Sequence, residues 1–143
     1  EDLRHQSRVV QDAERPGTHP GSPDGNDRPA ASFAGFLNQT EICQAYVAAD
    51  CMVLPSDYGE TWGLVANEAL ASGLHVIVSD VAGVAEFIEK MKGAYLCKTD
   101  SESIAEMMKV SKADYKGPIK NPEILGFTPE RFADELVEAM LQL

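Results

Sequence analysis

An α/β fold, in which helices flank a parallel sheet, is the fold class that this 143-residue sequence predicts. Two apolar runs, near 51–54 and near 75–79, have the length and composition of buried strands. Between them, residues 63–73 follow the periodicity of a helix that is packed on most of its sides. A strand, a helix and a second strand in this order form the repeating unit of a parallel sheet.

The central helix and the loop before it have clear local boundaries. Pro55 ends the first strand, and the polar, turn-forming residues from there to Thr61 predict a surface loop. Gly73 provides a natural end for the helix. The apolar stripe that is predicted to face the sheet consists of Ala66, Ala69, Leu70 and Gly73.

Further elements are predicted on both sides of this unit. Strands are expected near 32–36 and near 94–97. Asp100 and Ser101 can cap a helix that runs to about Val110. The residues of this helix that are predicted to face inward are Ile104, Met107 and Met108.

The last helix is predicted to follow a loop-rich segment over 114–127. Thr128 fits the N-cap position and Pro129 the first helical position. The apolar stripe of this helix consists of Phe132, Leu136, Ala139 and Met140. This stripe is expected to be partly exposed.

Residues 1–31 are predicted to form a region separate from a domain over 32–143. The apolar spacing predicts a short helix over about 2–14. The segment 15–31 has the Pro- and Gly-rich composition of a flexible linker.

The composition is that of a globular protein, with 44% hydrophobic and 24% charged residues. The formal net charge of −11 argues against a nucleic-acid partner, because such binding depends on Lys and Arg side chains that neutralise phosphates. Scattered in apolar settings, Cys43, Cys51 and Cys97 predict the reduced core thiols of a cytoplasmic protein. No apolar run approaches the ~18 residues of a membrane helix, and no signal peptide is visible. No cluster has the spacing of metal ligands, so neither a metal nor another cofactor is expected.

Two glutamates flank the predicted start of the central helix. Glu60 lies on the loop before the helix, and Glu68 lies roughly 6–8 Å along its axis. The helix N-terminus between them has free N–H groups and the positive end of the helix dipole, which favour a phosphate or another anion. Ligands of α/β folds usually bind at the carboxyl edge of the sheet, where this helix begins. A nucleotide sugar, with hydroxyls at both ends and phosphates between, fits this arrangement; the alternative is a pair of glutamates with purely structural partners.

Several further motifs occur around this pair. In chain order, the motifs are Phe33-Ala-Gly-Phe-Leu37, Gln44-Ala-Tyr-Val-Ala-Ala-Asp50, Pro55-Ser56, Glu60-Thr-Trp-Gly-Leu-Val-Ala-Asn-Glu68, Val76-Ile-Val-Ser-Asp80 and Gly83-Val-Ala-Glu86. With them, residues 32–110 resemble the C-terminal, donor-binding domain of retaining glycosyltransferases of the GT-B fold, family 4, the large group 1 family. The resemblance implies a Rossmann-like domain. The whole enzyme would be a hexosyltransferase of polysaccharide biosynthesis that moves a sugar from a nucleotide diphosphate sugar to a glycan or lipid-linked acceptor.

The resemblance also implies a role for each matching residue. Glu60, the catalytic candidate, would bind hydroxyls of the donor sugar and stabilise charge that develops at the anomeric carbon. Glu68 would accept hydrogen bonds from the ribose diol. The backbone groups expected to meet the sugar and the diphosphate belong to Thr61, Trp62, Gly63 and Leu64, and the residues expected near the base are Phe36 and Leu37. A plain loop is the alternative for the first set, and ordinary core packing is the alternative for the second.

The chain departs from the family pattern in three places. His75 stands where the family often has proline, and it is interpreted as a strand-edge residue and not as a catalyst. Gly83 is preceded by alanine where a double glycine is common. Two opening strands, with an arginine and a lysine after them, and an acceptor-binding N-terminal domain are not found. We therefore expect a partial GT-B domain that lacks its first strands and is inactive alone. It would self-associate through an exposed strand edge, and the whole enzyme would be cytoplasmic or peripheral at the inner membrane face.

Other functions stay open at this point. One is a nucleotide-sugar-binding or structural module without catalysis. Another is a different GT-B-like enzyme, such as a phosphorylase or a sugar-nucleotide epimerase. A phosphorylase would need a lysine for its cofactor in the loop around Glu60, and that loop contains none. An epimerase would need further acidic and histidine residues near the donor, which the sequence does not show.

Overall fold

A computed structural model describes residues 33–58 and 60–142, and the predicted helix at 2–14 and linker at 15–31 lie outside them. Within the described residues, helices flank a three-stranded parallel sheet. The elements are α1 (Gln39–Ala48), β1 (Cys51–Leu54), α2 (Leu64–Ala71), β2 (His75–Ser79), α3 (Ala85–Ile88), β3 (Ala94–Cys97), α4 (Ser101–Asp114), a 3-10 helix (Glu123–Gly126) and α5 (Pro129–Leu141).

The strands of the sheet are arranged in chain order, β1–β2–β3, and both pairs are parallel. In the register, Cys51 pairs with His75 and Val76 pairs with Ala94. All three strands lie where the apolar runs predicted them. The predicted Rossmann-like α/β fold, with a parallel sheet between helices, is confirmed.

The central strand β2 holds the core together, and all five of its residues are buried. Val76 and Val78 belong to the apolar cluster that also contains the inner face of α2. His75, in contrast, contacts Ser111 of α4. Because successive side chains of a strand point to opposite faces, α2 and α4 cover opposite sides of the sheet.

The predicted stripe of α2 is confirmed. Ala66 and Ala69 are fully buried and Leu70 is 1% exposed. Gly73 follows the helix with a φ of 86°, a left-handed conformation that glycine adopts without steric cost. A Cβ there would lie 3.0 Å from the carbonyl oxygen of Ile119, so the end of α2 also requires the small residue.

The predicted strand near 32–36 is wrong for residues 33–36, which have no regular secondary structure. Phe33 and Phe36 are 91% and 93% exposed. A strand needs a hydrogen-bonded neighbour, and in the described sheet β1 is an edge strand that pairs with β2 alone. Self-association through the free edge of β1 stays a prediction.

The predicted N-cap of α4 is confirmed, but the helix is longer than expected. The carboxylate of Asp100 accepts a hydrogen bond from the Ser103 N–H at 2.8 Å, and the helix continues to Asp114. The inward position of Met108 is wrong, because its side chain is 51% exposed. The face toward the sheet passes instead through the buried Ser111, which lies one turn beyond the half-buried Met107.

The last helix, α5, starts as predicted, with Thr128 at the N-cap and proline at the first position. No residue of α5 is buried. Phe132 and Met140 of its apolar stripe are 67% and 65% exposed. The stripe therefore contributes little to the core.

The prediction of three core thiols is wrong for one of them. Cys97 is buried and Cys51 is half-buried, but Cys43 is exposed. Cys43 lies on α1, whose only buried residue is Tyr46, so most of that helix surface faces solvent. All three cysteines are free thiols, as expected.

His75, which departs from the family pattern, is buried in the structure and contacts Ser111. Its side chain is 5% exposed, and Nδ1 lies 3.0 Å from the Ser111 hydroxyl. The rings of Tyr95 and Tyr115 lie 5.5 and 5.3 Å from the imidazole. Burial lowers the pKa of His75, although the Ser111 hydrogen bond opposes that effect.

This lowered pKa predicts that the folded chain loses stability in mild acid. The unfolded histidine titrates near 6.5, so the folded state binds fewer protons than the unfolded state as the pH falls below that value. The free energy of unfolding should therefore be constant above about pH 6.5 and decline below it, by no more than about 1.4 kcal/mol per pH unit. Urea unfolding at pH 7.5 and 5.5 measures the decline. A His75→Gln variant should lack most of it, and an equal decline in both proteins would assign the effect to other groups.

Candidate functional site

The loops that follow β1 and β2 lie side by side at the carboxyl edge of the sheet. The Ser79 hydroxyl, at the end of β2, donates a hydrogen bond to the Ser56 carbonyl. The Val84 N–H donates to the Trp62 carbonyl at 2.8 Å. These two bonds join the loops into one surface.

Gly83 permits the close approach of the two loops. A Cβ on this residue would lie 2.0 Å from the Thr61 carbonyl oxygen and 3.2 Å from the Trp62 Cα. The backbone of the second loop thus touches the backbone of the first. The single glycine of the Ala82-Gly83 turn is sufficient for this contact.

Gly63 forms the N-terminus of α2 without a capping side chain. Its φ of 96° and ψ of 53° place it in the left-handed region, and no side chain caps the first turn. A Cβ there would lie 3.0 Å from Leu54 Cδ2 and 3.3 Å from Val84 Cγ1. The helix therefore starts in contact with the end of β1 and with the loop that follows β2, and its first turn keeps N–H groups available to a ligand.

The two predicted glutamates lie on either side of this helix start. Half-buried Glu60 has its Cγ 3.7 Å from the Cβ position of Gly63. Glu68 is exposed, and its Oε2 accepts a hydrogen bond from the Tyr46 hydroxyl at 3.0 Å. Burial and the bond to Glu68 raise the pKa of Tyr46 to about 12, so the phenol stays a donor at neutral pH. The carboxylate of Glu68 is thus held in place by α1.

Some of the other predicted binding residues lie on this surface, and others lie outside it. Thr61 and Trp62 line the contact with the second loop, and Leu64, at the first position of α2, is 66% exposed. Phe36 and the half-buried Leu37 lie ahead of α1, outside the pair of loops. The alternative of core packing is wrong for Phe36, because its side chain is 93% exposed.

Sequence reasoning gave no site role to three side chains beside this surface. They are Tyr46, which orients Glu68; Phe87, whose ring packs 5.5 Å from that of Trp62; and Asn67, whose side-chain oxygen is buried. Tyr46 lies within a motif that the sequence already indicates. Asn67 and Glu68 are the two polar residues in an otherwise apolar α2, and that departure from the pattern is the available signal for Asn67.

In chemical terms, the site combines carboxylates that accept hydroxyl hydrogen bonds with uncapped N–H groups that favour an anion. In the part of the chain that the structure describes, no group of three or more His, Cys, Asp or Glu residues is placed to hold a metal ion. The fold and the site together define an α/β protein with a candidate ligand-binding surface at the carboxyl edge of its sheet.

The chain belongs to the glycosyl transferases group 1 family, whose model matches residues 28–117. The match includes all three strands and both glutamates.

Several curated proteins are similar to this chain over parts of their length. An uncharacterised glycosyltransferase of Methanocaldococcus jannaschii is 40% identical over 74 residues, which cover 51% of this chain and 19% of the relative. The sulfoquinovosyl transferase of Arabidopsis thaliana is 43% identical over 58 residues, or 41% of this chain and 11% of the relative. Glycogen synthase of Mycobacterium tuberculosis is 42% identical over 59 residues, or 41% and 14%. The matched segments thus span less than a fifth of the lengths of these relatives.

No solved structure matches the chain significantly. Among the helices of the described residues, none is both long enough and apolar enough to cross a membrane.

Proposed function

We propose that this chain is the donor-binding part of a retaining glycosyltransferase of family 4, with the GT-B fold. The observation that carries the proposal is the uncapped start of α2 at Gly63, with Glu60 on one side and Glu68 on the other. A nucleotide diphosphate sugar presents hydroxyls, phosphates and further hydroxyls in the same order. Membership of the group 1 family supports the same assignment.

In the proposed mechanism, the backbone around Gly63 binds the diphosphate of the donor. Loss of that leaving group places positive charge on the anomeric carbon, and the Glu60 carboxylate would stabilise this charge and bind sugar hydroxyls. Glu68, already oriented by Tyr46, would accept hydrogen bonds from the ribose diol. The nucleoside diphosphate is part of the donor, so the proposed chemistry uses no further cofactor.

The acceptor in this proposal is a glycan or a lipid-linked saccharide. We propose that acceptor binding needs protein beyond the described residues, and that the described domain alone does not transfer sugar.

Replacing Glu68 with alanine is expected to weaken nucleotide binding at least tenfold. A hydrogen bond to a charged group contributes about 1.5–3 kcal/mol, and 1.4 kcal/mol corresponds to a factor of ten in Kd. Calorimetric titration of the purified chain with uridine diphosphate and with guanosine diphosphate measures the change. Glu60→Gln should affect the bare nucleotides less and the nucleotide sugars more, because Glu60 is assigned to the sugar.

Glu138→Ala provides the matched control, since this glutamate is exposed on α5 and is assigned no ligand contact. It should leave both titrations unchanged. Saturable nucleotide binding by the wild-type chain with the same Kd in Glu68→Ala would remove the assignment of Glu68. Absence of nucleotide binding by the folded wild-type chain would overturn the proposal that the donor site is preformed in these residues.

A further inference from the structure

Three aromatic rings form a row that leads from the candidate donor site to the start of α5. The ring of Phe87, on α3, lies 5.5 Å from that of Trp62 in the loop after β1. The ring of Phe127, just after the 3-10 helix, lies 4.8 Å from that of Phe87 and meets it edge to face. The guanidinium of Arg131, in the first turn of α5, lies 4.3 Å from the centre of the Phe127 ring. The rings of Trp62, Phe87 and Phe127, the aromatic row, thus connect two distant parts of the chain.

The middle and the far end of the aromatic row are held by other contacts. Phe87 precedes Ile88, whose side chain is fully buried and anchors α3 in the core. At the far end, Arg131 donates hydrogen bonds to the Glu135 carboxylate at 2.7 Å and to the Gly126 carbonyl at 3.4 Å. The row therefore connects the loop after β1 to residues whose positions are fixed by contacts elsewhere.

The position of Trp62 determines where the first N–H group of the α2 N-terminus points. The Trp62 carbonyl accepts the Val84 N–H at 2.8 Å. This carbonyl and the Gly63 N–H belong to one planar peptide unit, so a movement of Trp62 turns that N–H group. The hydrogen bond restrains the backbone of Trp62, and the contact with Phe87 restrains its side chain. Both contacts are therefore needed to fix the direction of the N–H groups that begin α2.

We propose that Phe87 and Phe127 are positioning residues of the donor site. Through the ring of Trp62 they would hold the loop whose backbone N–H groups bind the diphosphate, without touching the donor themselves. The inference rests on the proposed function for its ligand, but the holding of the loop can be measured without any ligand. The family model matches residues 28–117, so Phe127 and Arg131 lie outside the matched segment.

The fluorescence of Trp62 reports directly on the loop, because the chain has a single tryptophan. Trp62 is 39% exposed, so its contact with Phe87 leaves part of the ring accessible to a neutral quencher. Phe127→Leu keeps an apolar side chain but removes the ring that supports Phe87. We expect acrylamide to quench Trp62 more strongly in this variant than in the wild-type chain. Phe127 is 44% exposed, so the variant should remain folded.

Calorimetric titration of the full chain with uridine diphosphate and with guanosine diphosphate gives the second measurement. An aromatic pair changes an equilibrium by about two- to tenfold, and the nucleotide Kd of Phe127→Leu should rise by a factor in this range. Phe127→Tyr keeps the ring and should retain the wild-type quenching and Kd. The matched control is Phe132→Leu, the same substitution at a phenylalanine of α5 that is 67% exposed, and it should leave both measurements unchanged.

A double variant separates positioning from direct contact with the nucleotide. If the rings act in series, Phe87→Leu alone already breaks the connection between Phe127 and Trp62. Adding Phe127→Leu to Phe87→Leu should then change the nucleotide Kd by less than about twofold, because coupled residues are not additive. Two full effects that multiply in the double variant would mean that Phe127 acts on the nucleotide independently of the row, and would reject its positioning role.

The two measurements distinguish this inference from the proposed function. Unchanged quenching of Trp62 in Phe127→Leu would show that the aromatic row does not hold the loop, and the inference would be rejected whether or not nucleotide binds. Stronger quenching with an unchanged nucleotide Kd would leave the donor site in place and reject the positioning role. A folded wild-type chain that binds no nucleotide would overturn the preformed donor site and the positioning role together, and the quenching would still show whether the rings hold the loop.

Discussion

Replacing Gly83 with alanine is expected to lower the free energy of unfolding by about 3 kcal/mol, the upper end of the range for overpacking. The added Cβ would lie 2.0 Å from the Thr61 carbonyl oxygen, and this neighbour is backbone that cannot rotate away. The φ of Gly83 lies outside the left-handed region, so the penalty comes from the contact and not from the torsion. The two loops would have to separate, and the Val84–Trp62 hydrogen bond would lengthen or break.

Urea unfolding of the Gly83→Ala variant measures this loss, and Gly126→Ala provides the control. The nearest atom to a Cβ on Gly126 is Arg131 Nη1 at 3.9 Å, an ordinary contact, so that substitution should change the unfolding free energy by less than about 0.5 kcal/mol. We also expect Gly83→Ala to weaken nucleotide binding, because the displaced loop contains the candidate backbone donors. Equal stability of the two variants would mean that the loops do not touch at Gly83.

Leu70→Ala should lower the free energy of unfolding by a similar amount, but for a different reason. Leu70 is 1% exposed, on the face of α2 that packs over the sheet, and its truncation would leave a cavity in the main apolar cluster. Large-to-small changes of this kind typically cost about 2–5 kcal/mol. Whole domains are stable by only about 5–15 kcal/mol, so the variant should have a clearly lower urea midpoint.

Leu136→Ala is the matched substitution for this second prediction. Leu136 lies on α5 and is 50% exposed, so the same change of side chain should cost less than about 0.5 kcal/mol. The difference in unfolding free energy between the two variants measures how much the packing of α2 on the sheet stabilises the domain. If Leu136→Ala were as costly as Leu70→Ala, the stripe of α5 would be buried against protein in solution.

The elements that the sequence predicts correctly are those whose cause is local. β1 and β2 are short apolar runs bounded by turn residues, and α2 between them has a regular stripe that ends at Gly73. Thr128 caps α5 through its own side chain, which accepts the Arg131 N–H. A helix cap, a residue that ends a strand or helix, and an apolar periodicity are each contained in a few consecutive residues. They can therefore be identified without the rest of the molecule.

The errors concern features that depend on distant residues. The segment 33–36 has apolar residues like a strand, but a strand forms only where another strand supplies hydrogen bonds. Met108 has the spacing of an inward residue, but the position of α4 on the sheet is set by contacts such as that of Ser111 with His75. A single sequence does not show where one helix or strand lies relative to another.

The same distinction applies to the candidate site. Glu60, Gly63 and Glu68 could be selected because they are close together in the chain. The contributions of Tyr46 and Phe87 could not, because Tyr46 reaches Glu68 from another helix and Phe87 reaches Trp62 from α3. The need for glycine at position 83 likewise depends on a loop about 20 residues earlier in the chain.

The agreement between strand order and chain order also affects how the sheet can assemble. β1 pairs with β2 and β2 pairs with β3, so each pairing joins consecutive strands across a single helical connection. The entropy lost on closing a loop grows with its length, and short closures accelerate folding. As the chain emerges from the ribosome, β1 can meet its partner once β2 has left the exit tunnel, and the third strand extends an existing sheet. The described domain can therefore form progressively from its N-terminal side, without waiting for a distant segment to return to its centre.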